Sequence, residues 1–294
     1  MANLKAIRTR ISSVKSTRQI TSAMKMVSAA KLRRAQDKIV KLRPYVNKLQ
    51  EILAGLSESL ADAEVENLYG RISDPENVLI VVITSNRGLC GGFNANVIKE
   101  TRRIISEHYS DQFHKGNINI LTIGKKGFDY FRKQSLKLLP EQNNLLNNLT
   151  FENVAQVADA IMSSFVAGDY DRVEIVYNQF KNAAVQNLTR ESFLPVTAAS
   201  SGKTASVPVD YIYEPDQETI VRDLIPKSLR IQFYKAVLDS FVSEHGARMT
   251  AMHKATDNAT TMIRDLTLLY NKARQAAITN QILEVVSGAE ALRG

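Results

Sequence analysis

Over the first 60 residues one face of the chain recurs in an unbroken three-four alternation: Leu4, Ile7, Ile11, Val14, Arg18, Thr21, Lys25, Ser28, Leu32, Ala35, Ile39, Leu42, Val46, Leu49, Leu53, Leu56 and Leu60. Such a heptad predicts one long helix that supercoils left-handedly with a partner helix. The polar members all fall between Arg18 and Ser28, beside Ala23, Met24, Met26 and Val27, so the seam is expected to drift around the helix there. Pro44 is expected to kink the helix without ending it, because the pattern resumes on both sides.

The other end of the chain repeats the theme. The 66 residues from Lys227 to Leu292 contain no proline, and Gly246 is their only glycine before Gly288. Steps of three and four through Tyr234, Leu238, Phe241, His245, Met249, Met252, Ala255, Ala259, Met262, Leu266, Leu269, Ala273 and Ala276 mark a helix packed along its length. At 1.5 Å rise per residue this is a rod of roughly 100 Å. Ala247, Ala251, Ala255 and Ala259 recur every fourth residue, forming a row almost free of side-chain bulk where a second backbone can approach closely. Two such helices bury both seams if they lie antiparallel, or each could pair with a second copy of the chain.

Between them the periodicity changes. Val78 to Thr84 is a fully apolar run suited to a buried parallel strand, with further strands expected at Ile118–Ile123 and Val173–Tyr177 and a possible edge strand at Ser192–Thr197. Helices are expected near Ala95–Tyr109, Lys125–Gln134 and Phe151–Val166, with a loop at Asn143–Asn148. Ser200–Pro208 reads as a link before the last helix starts near Asp216, and Pro226 as a bend or interruption in it. Strands alternating with helices give a mostly parallel sheet. The fold class is therefore α/β plus coiled coil, divided into an N-terminal helix (1–68), a central Rossmann-like α/β domain (76–208) and a C-terminal helix (209–294).

Charge sharpens the picture. Residues 1–48 carry 13 Lys and Arg against Asp37 alone, a net +12, whereas residues 49–226 carry 16 against 23, a net −7. A basic first helix suggests an acidic partner: protein, nucleic acid or anionic lipid. Tyr45 is the only aromatic among the first 60 residues, which disfavours stacking on bases. A single cysteine, Cys90, rules out an internal disulfide framework. No run of 18 apolar residues exists that could span a bilayer. The basic, Ser/Thr-rich start could be read as a transit peptide.

Candidate chemistry is sparse. Gly88, Gly91 and Gly92 lie between a strand and a helix, where a helix N-terminus can cradle phosphate, but their spacing is neither GxGxxG nor GxxxxGK[ST]. Tight strand-to-helix turns need glycine in any case. His108, His114, His245 and His253 show no metal-ligand spacing, and the acidic residues form no recognisable pair. A nucleotide-dependent enzyme using the glycine turn and a nucleic-acid-binding coiled coil remain competing readings.

Four segments together resemble one family. These are ITSAMKMVSAAKLRRAQ near the N-terminus, TSNRGLCGGFN in the middle, and SEHGARMTAMHKATDNA and LYNKARQAAITNQILEVVSGAEAL towards the C-terminus. They are similar to the gamma subunit of the F-type ATP synthase, from about Asn3 to Leu292, with 104–208 only generic. Because the match begins at once, the resemblance implies that Met1–Lys25 is mature protein, and the lack of a cysteine-bearing regulatory insertion favours a bacterial origin. It implies an antiparallel coiled-coil shaft inside three alpha and three beta subunits, a lower part holding the epsilon subunit and the membrane c ring, one copy per complex, and no cofactor or catalytic site on this chain. Arg274 and Gln275 would contact beta near the shaft's upper end, Arg248 lower down, and Met24 and Lys25 would face an acidic loop of beta. Ile7, Ile11, Val14, Ala247, Ala251, Ala255, Ala259, Met262 and Leu266 would hold the two helices together. The resemblance also implies the cytoplasmic face of a bacterial inner membrane, reached only through the complex.

Overall fold

The computed structural model describes residues 4–60, 68–71, 73–134, 136–196 and 217–292. The link expected at Ser200–Pro208 and the helix start expected near Asp216 lie outside them. Two compact units emerge, one made of Met1–Ser28 with Arg248–Gly294, the other of Ala29–Ala247.

Helix α1 runs from Leu4 to Leu60 through Pro44, and α6, the last helix, from Gln217 to Ala291 through Pro226. Neither proline ends its helix. In the first unit Thr21 of α1 meets Thr256 of α6. In the second, Val46 and Leu49 of α1 pack on Ile231 of α6. Each unit thus pairs a segment of α1 with a segment of α6. Every heptad position from Leu4 to Leu49 is buried or half-buried, while Met26 and Val27 are 65% and 58% exposed. The expected drift of the seam does not occur: Arg18, Thr21, Lys25 and Ser28 stay on the contact face.

The central sheet belongs to the second unit. Its elements in chain order are β1 (Val78–Ile83), α2 (Phe93–His108), α3 (Ser110–Lys115), β2 (Ile118–Ile123), α4 (Lys125–Phe131), β3 (Lys137–Leu138), a 3-10 turn (Asn143–Leu146), α5 (Phe151–Ala167), β4 (Arg172–Phe180) and β5 (Gln186–Leu194). The strand order is β3-β2-β1-β4-β5. β1 pairs in parallel with β2 and β4, and β5 runs antiparallel to β4. β1 is apolar throughout because both its faces are covered: all six residues are 0% exposed. Val78, Ile80 and Val82 join Val97, Ile104 and Tyr109 in one core cluster. The expected short edge strand at Ser192–Thr197 is instead a nine-residue strand ending at Leu194. The segment NLTRES is polar, as the outer strand of a sheet can be, so hydropathy does not mark the strand's full length.

Within this unit α6 is not a narrow seam. From Leu229 to Gly246 nearly every residue is buried, as expected of a helix wedged between α1 and a sheet face. Phe193 of β5 lies 5.5 Å from Phe233, and Phe151 of α5 meets Tyr234 edge-on at 5.6 Å. Gly246 lets the β4–β5 turn approach, since a Cβ there would sit 3.2 Å from the Ala183 Cα.

Candidate functional site

The glycine turn follows β1, beside the crevice between β1 and β4 where sheets of this order bind ligands. Here the turn's polar groups are engaged with one another. The Ser85 amide donates to Asn94 Oδ1 at 2.9 Å, and Asn94 Nδ2 donates to Ser85 Oγ at 2.8 Å and to Cys90 Sγ at 3.3 Å. From β4, Asn178 Nδ2 donates to the Phe93 carbonyl at 3.1 Å in a fully buried bond. Asn86 Nδ2 donates to the Asn143 carbonyl at 2.9 Å, while its Oδ1 accepts from the Lys125 amide. The loops at this sheet edge are thereby stitched together. Gly91 is needed for its φ of +60°, whereas a Cβ on Gly88 would meet nothing within 4 Å and one on Gly92 only the Asn96 side chain. The tightest glycine of the region is one that spacing did not single out. Gly124 has φ +103°, and a Cβ there would lie 2.2 Å from the Thr84 carbonyl oxygen. Thr84 Oγ1 also accepts from the Gly127 amide at 2.9 Å.

Charged chemistry inside the sheet is paired. Glu174, 2% exposed, accepts from Arg190 Nε at 2.7 Å and from its terminal nitrogen at 2.6 Å, and the Tyr109 hydroxyl donates to the same carboxylate. Burial first, and then this carboxylate, push the Tyr109 phenol up to about 12. A charged residue inside the apolar run Val173–Tyr177 was the available signal for such a partner. Among the described residues no group of three or more His, Cys, Asp or Glu could hold a metal ion, and no helix is long and apolar enough to cross a membrane. His253 lies 3.3 Å from Asp257 one helical turn on, both exposed, and His245 packs edge-on against Phe241 at 4.5 Å.

The remaining candidates are surfaces on the first unit. On α1, Ile7 is buried and Ile11 and Val14 are half-buried. Met24 is 38% exposed on an outward stripe with Ile20 and Val27, both 58% exposed, whereas Lys25 is half-buried at the contact face. On α6, Ala251 and Ala255 are half-buried and Ala259 is 7% exposed; Ala247, in the second unit, is half-buried. Met262 lies off the contact face, at 44% exposure, and so does Leu269 at 48%. After Ala259 the step is four rather than three, so the half-buried positions become Ile263, Leu266, Tyr270, Asn271, Ala273 and Ala277. Either step fits a helix, and only the partner's position decides between them. Arg248 is half-buried, and Arg274 and Gln275 are exposed. Beyond them Ile278, Ile282, Leu283 and Val286 are each at least 50% exposed, an apolar row of the kind that marks an interaction surface.

Comparison with known proteins gives this geometry its context. The chain is similar to the ATP synthase gamma chains of Flavobacterium johnsoniae, at 56% identity, and Flavobacterium psychrophilum, at 55%, with 100% of both chains covered in each case. Among solved structures it resembles a chain of the central stalk/c-ring of the Tetrahymena thermophila mitochondrial ATP synthase, at 27% identity and TM-score 0.56, covering 80% of this chain and 99% of that one. It also resembles a chain of the Euglena gracilis mitochondrial ATP synthase rotor, at 25% identity and TM-score 0.66, covering 94% and 98%. A family model described as ATP synthase matches residues 3–292, and with relatives more than half identical over the full length, the chain belongs to the ATP synthase gamma chain family.

Proposed function

We propose that this chain is the rotating central shaft of an F-type ATP synthase, coupling ion flow through a membrane c ring to the conformational cycle of the catalytic subunits. The observation that carries the reading is the pairing of α1 with α6 within each unit, in a chain that matches gamma relatives over its whole length. One copy would stand within three alpha and three beta subunits, with epsilon and the c ring below, and membrane contact would come only through the complex. The chain would supply torque and no catalytic group or cofactor site. The complex would lie at the cytoplasmic face of a bacterial inner membrane. We divide the chain functionally into shaft helices at 1–68 and 209–294 and a central domain at 76–208.

In this reading Met24, Lys25, Arg248, Arg274 and Gln275 contact beta. Met24 is supported by its outward stripe, and Arg274 and Gln275 by their exposure at the start of the exposed apolar row. The net charge of +12 on residues 1–48 suits an acidic loop. Exposed ion pairs contribute only about 0–1 kcal/mol each, so shape carries most of the torque and charge guides the contact. Nucleic-acid binding fits less well, because Tyr45 is the only aromatic on the basic helix.

An engineered disulfide between the shaft and beta tests the proposal in the assembled complex. Turnover should stop when the crosslink is complete and return on reduction. Undiminished turnover with every complex crosslinked would show that this chain need not rotate.

A further inference from the structure

Between Val14 and Ala29 the covered positions of α1 carry no apolar side chain: they are Arg18, Thr21, Ser22, Lys25 and Ser28. Opposite them α6 offers Met249, Met252, Ala255, Thr256 and Ala259, of which only the two methionines are bulky, Met249 half-buried and Met252 buried. Apolar burial therefore does not favour this face of α1 against α6. An alternative face exists. Ile20, Met24 and Val27, 58%, 38% and 58% exposed, lie roughly a quarter turn away at about 100° per residue. Burying that stripe against α6 would follow the ordinary hydrophobic preference, and it is the drift that the residue pattern suggests.

A polar contact joins the two helices at this level. The Thr21 and Thr256 hydroxyl oxygens are 2.8 Å apart. Thr21 Oγ1 also lies 3.0 Å from the Arg18 carbonyl, and Thr256 Oγ1 lies 2.8 Å from the Met252 carbonyl. Each hydroxyl has one proton, so two protons serve three contacts. If Thr21 donates to Arg18, Thr256 must donate to Thr21; if Thr256 donates to Met252, Thr21 must donate to Thr256. Either arrangement keeps one bond between the helices and one back to a carbonyl. A rotated α1 would leave Thr256 facing an apolar side chain and would break that bond.

We propose that the Thr21–Thr256 hydroxyl pair sets the rotational phase of α1 against α6 in this segment and so holds the Ile20–Met24–Val27 stripe outward. The pair acts by selecting a face, as a single polar layer does in other coiled coils. This rests on the geometry of the first unit alone and stands apart from the rotary reading.

The test uses the full chain in a Cys90→Ser background, with a nitroxide attached through Val27→Cys in one preparation and Lys25→Cys in another. Accessibility to a water-soluble nickel relaxation agent is read by electron paramagnetic resonance. With both threonines present, position 27 is open and position 25 shielded. In Thr21→Val/Thr256→Val, position 27 should lose most of its accessibility and position 25 should gain it. Thr21→Ser/Thr256→Ser, which keeps both hydroxyls, should retain the original pattern. An unchanged pattern in the valine variant overturns the proposal, even if its melting temperature falls, because a merely stabilising pair would lower the melt without turning the helix. A turned helix in the serine variant overturns it as well.

Discussion

Arg190 holds Glu174 through two nitrogens of one guanidinium, at 2.7 and 2.6 Å, across the β4–β5 ladder, with the carboxylate 3% exposed and the guanidinium 29%. The arrangement is bidentate, and Tyr109 donates to the same acid. Removing the base alone leaves a buried carboxylate without its counter-ion. Arg190→Ala should therefore lower the unfolding free energy by about 3–5 kcal/mol, the cost of breaking a buried pair. Replacing both partners by methionine should cost less than the single change, since neither charge is then stranded. Urea titration of the two variants provides the comparison, and a double variant less stable than Arg190→Ala would contradict it.

The same cluster makes stability depend on alkaline pH. The Tyr109 phenol moves from its ordinary 10.0 up to about 12 on folding, chiefly because it is buried and then because it donates to Glu174. Tyr177 is raised as well, by burial and then by Glu191 and Asp239. Below pH 10 folded and unfolded chains both keep the Tyr109 proton, and its contribution is fully present. Between about pH 10 and 12 the unfolded chain releases the proton while the folded chain retains it, so stability falls with rising pH. Unfolding midpoints measured from pH 9 to 12 should show this decline, and Tyr109→Phe should make it shallower without abolishing it, because Tyr177 remains.

At the carboxyl edge of the sheet, Gly124 and Gly88 should respond very differently to one methyl group. A Cβ on Gly124 would overlap the Thr84 carbonyl, and its φ of +103° is strained for any other residue. Gly124→Ala should cost about 2–5 kcal/mol from strain and overpacking together. Gly88→Ala meets open space and should stay within about 0.5 kcal/mol of the parent. Thermal unfolding of both variants checks the contrast.

These positions show what the residue pattern can and cannot disclose. The six apolar residues of β1 and the α1 heptad announce their elements because burial alone dictates them. Gly124 carries no such mark: its necessity comes from Thr84, 40 residues earlier, brought against it by the β1–β2 pairing. The extent of β5 was hidden for a related reason, since a polar outer strand is defined by its hydrogen bonds to β4 and not by alternation. Arg18, Thr21, Lys25 and Ser28 hold α1 heptad positions with polar side chains beside the apolar Ala23, Met24, Met26 and Val27, which is why the pattern alone suggests a drift. The segments resembling the gamma family point to surfaces, and solvent exposure of Arg274 and Gln275 in an isolated chain is what a partner-facing residue and an ordinary surface residue share.

The change of step at Ala259 supplies the last contrast. Reading three residues on from Ala259 puts Met262 in the contact face, while the structure puts Ile263 there, four residues on, and leaves Met262 44% exposed. The two residues are adjacent, similar in size and both apolar, so composition does not decide between them. Truncation can, because only the covered side chain leaves a gap between the helices. Ile263→Ala should cost about 1–2 kcal/mol, less than for a fully buried isoleucine because the site is half-buried. Met262→Ala should change stability by less than about 0.5 kcal/mol. Amide hydrogen exchange over residues 252–270 reads the effect where it arises, without requiring the second unit to unfold. Faster exchange in the Ile263 variant and near-parent exchange in the Met262 variant are expected, and the reverse order would place the seam back on the three-residue step.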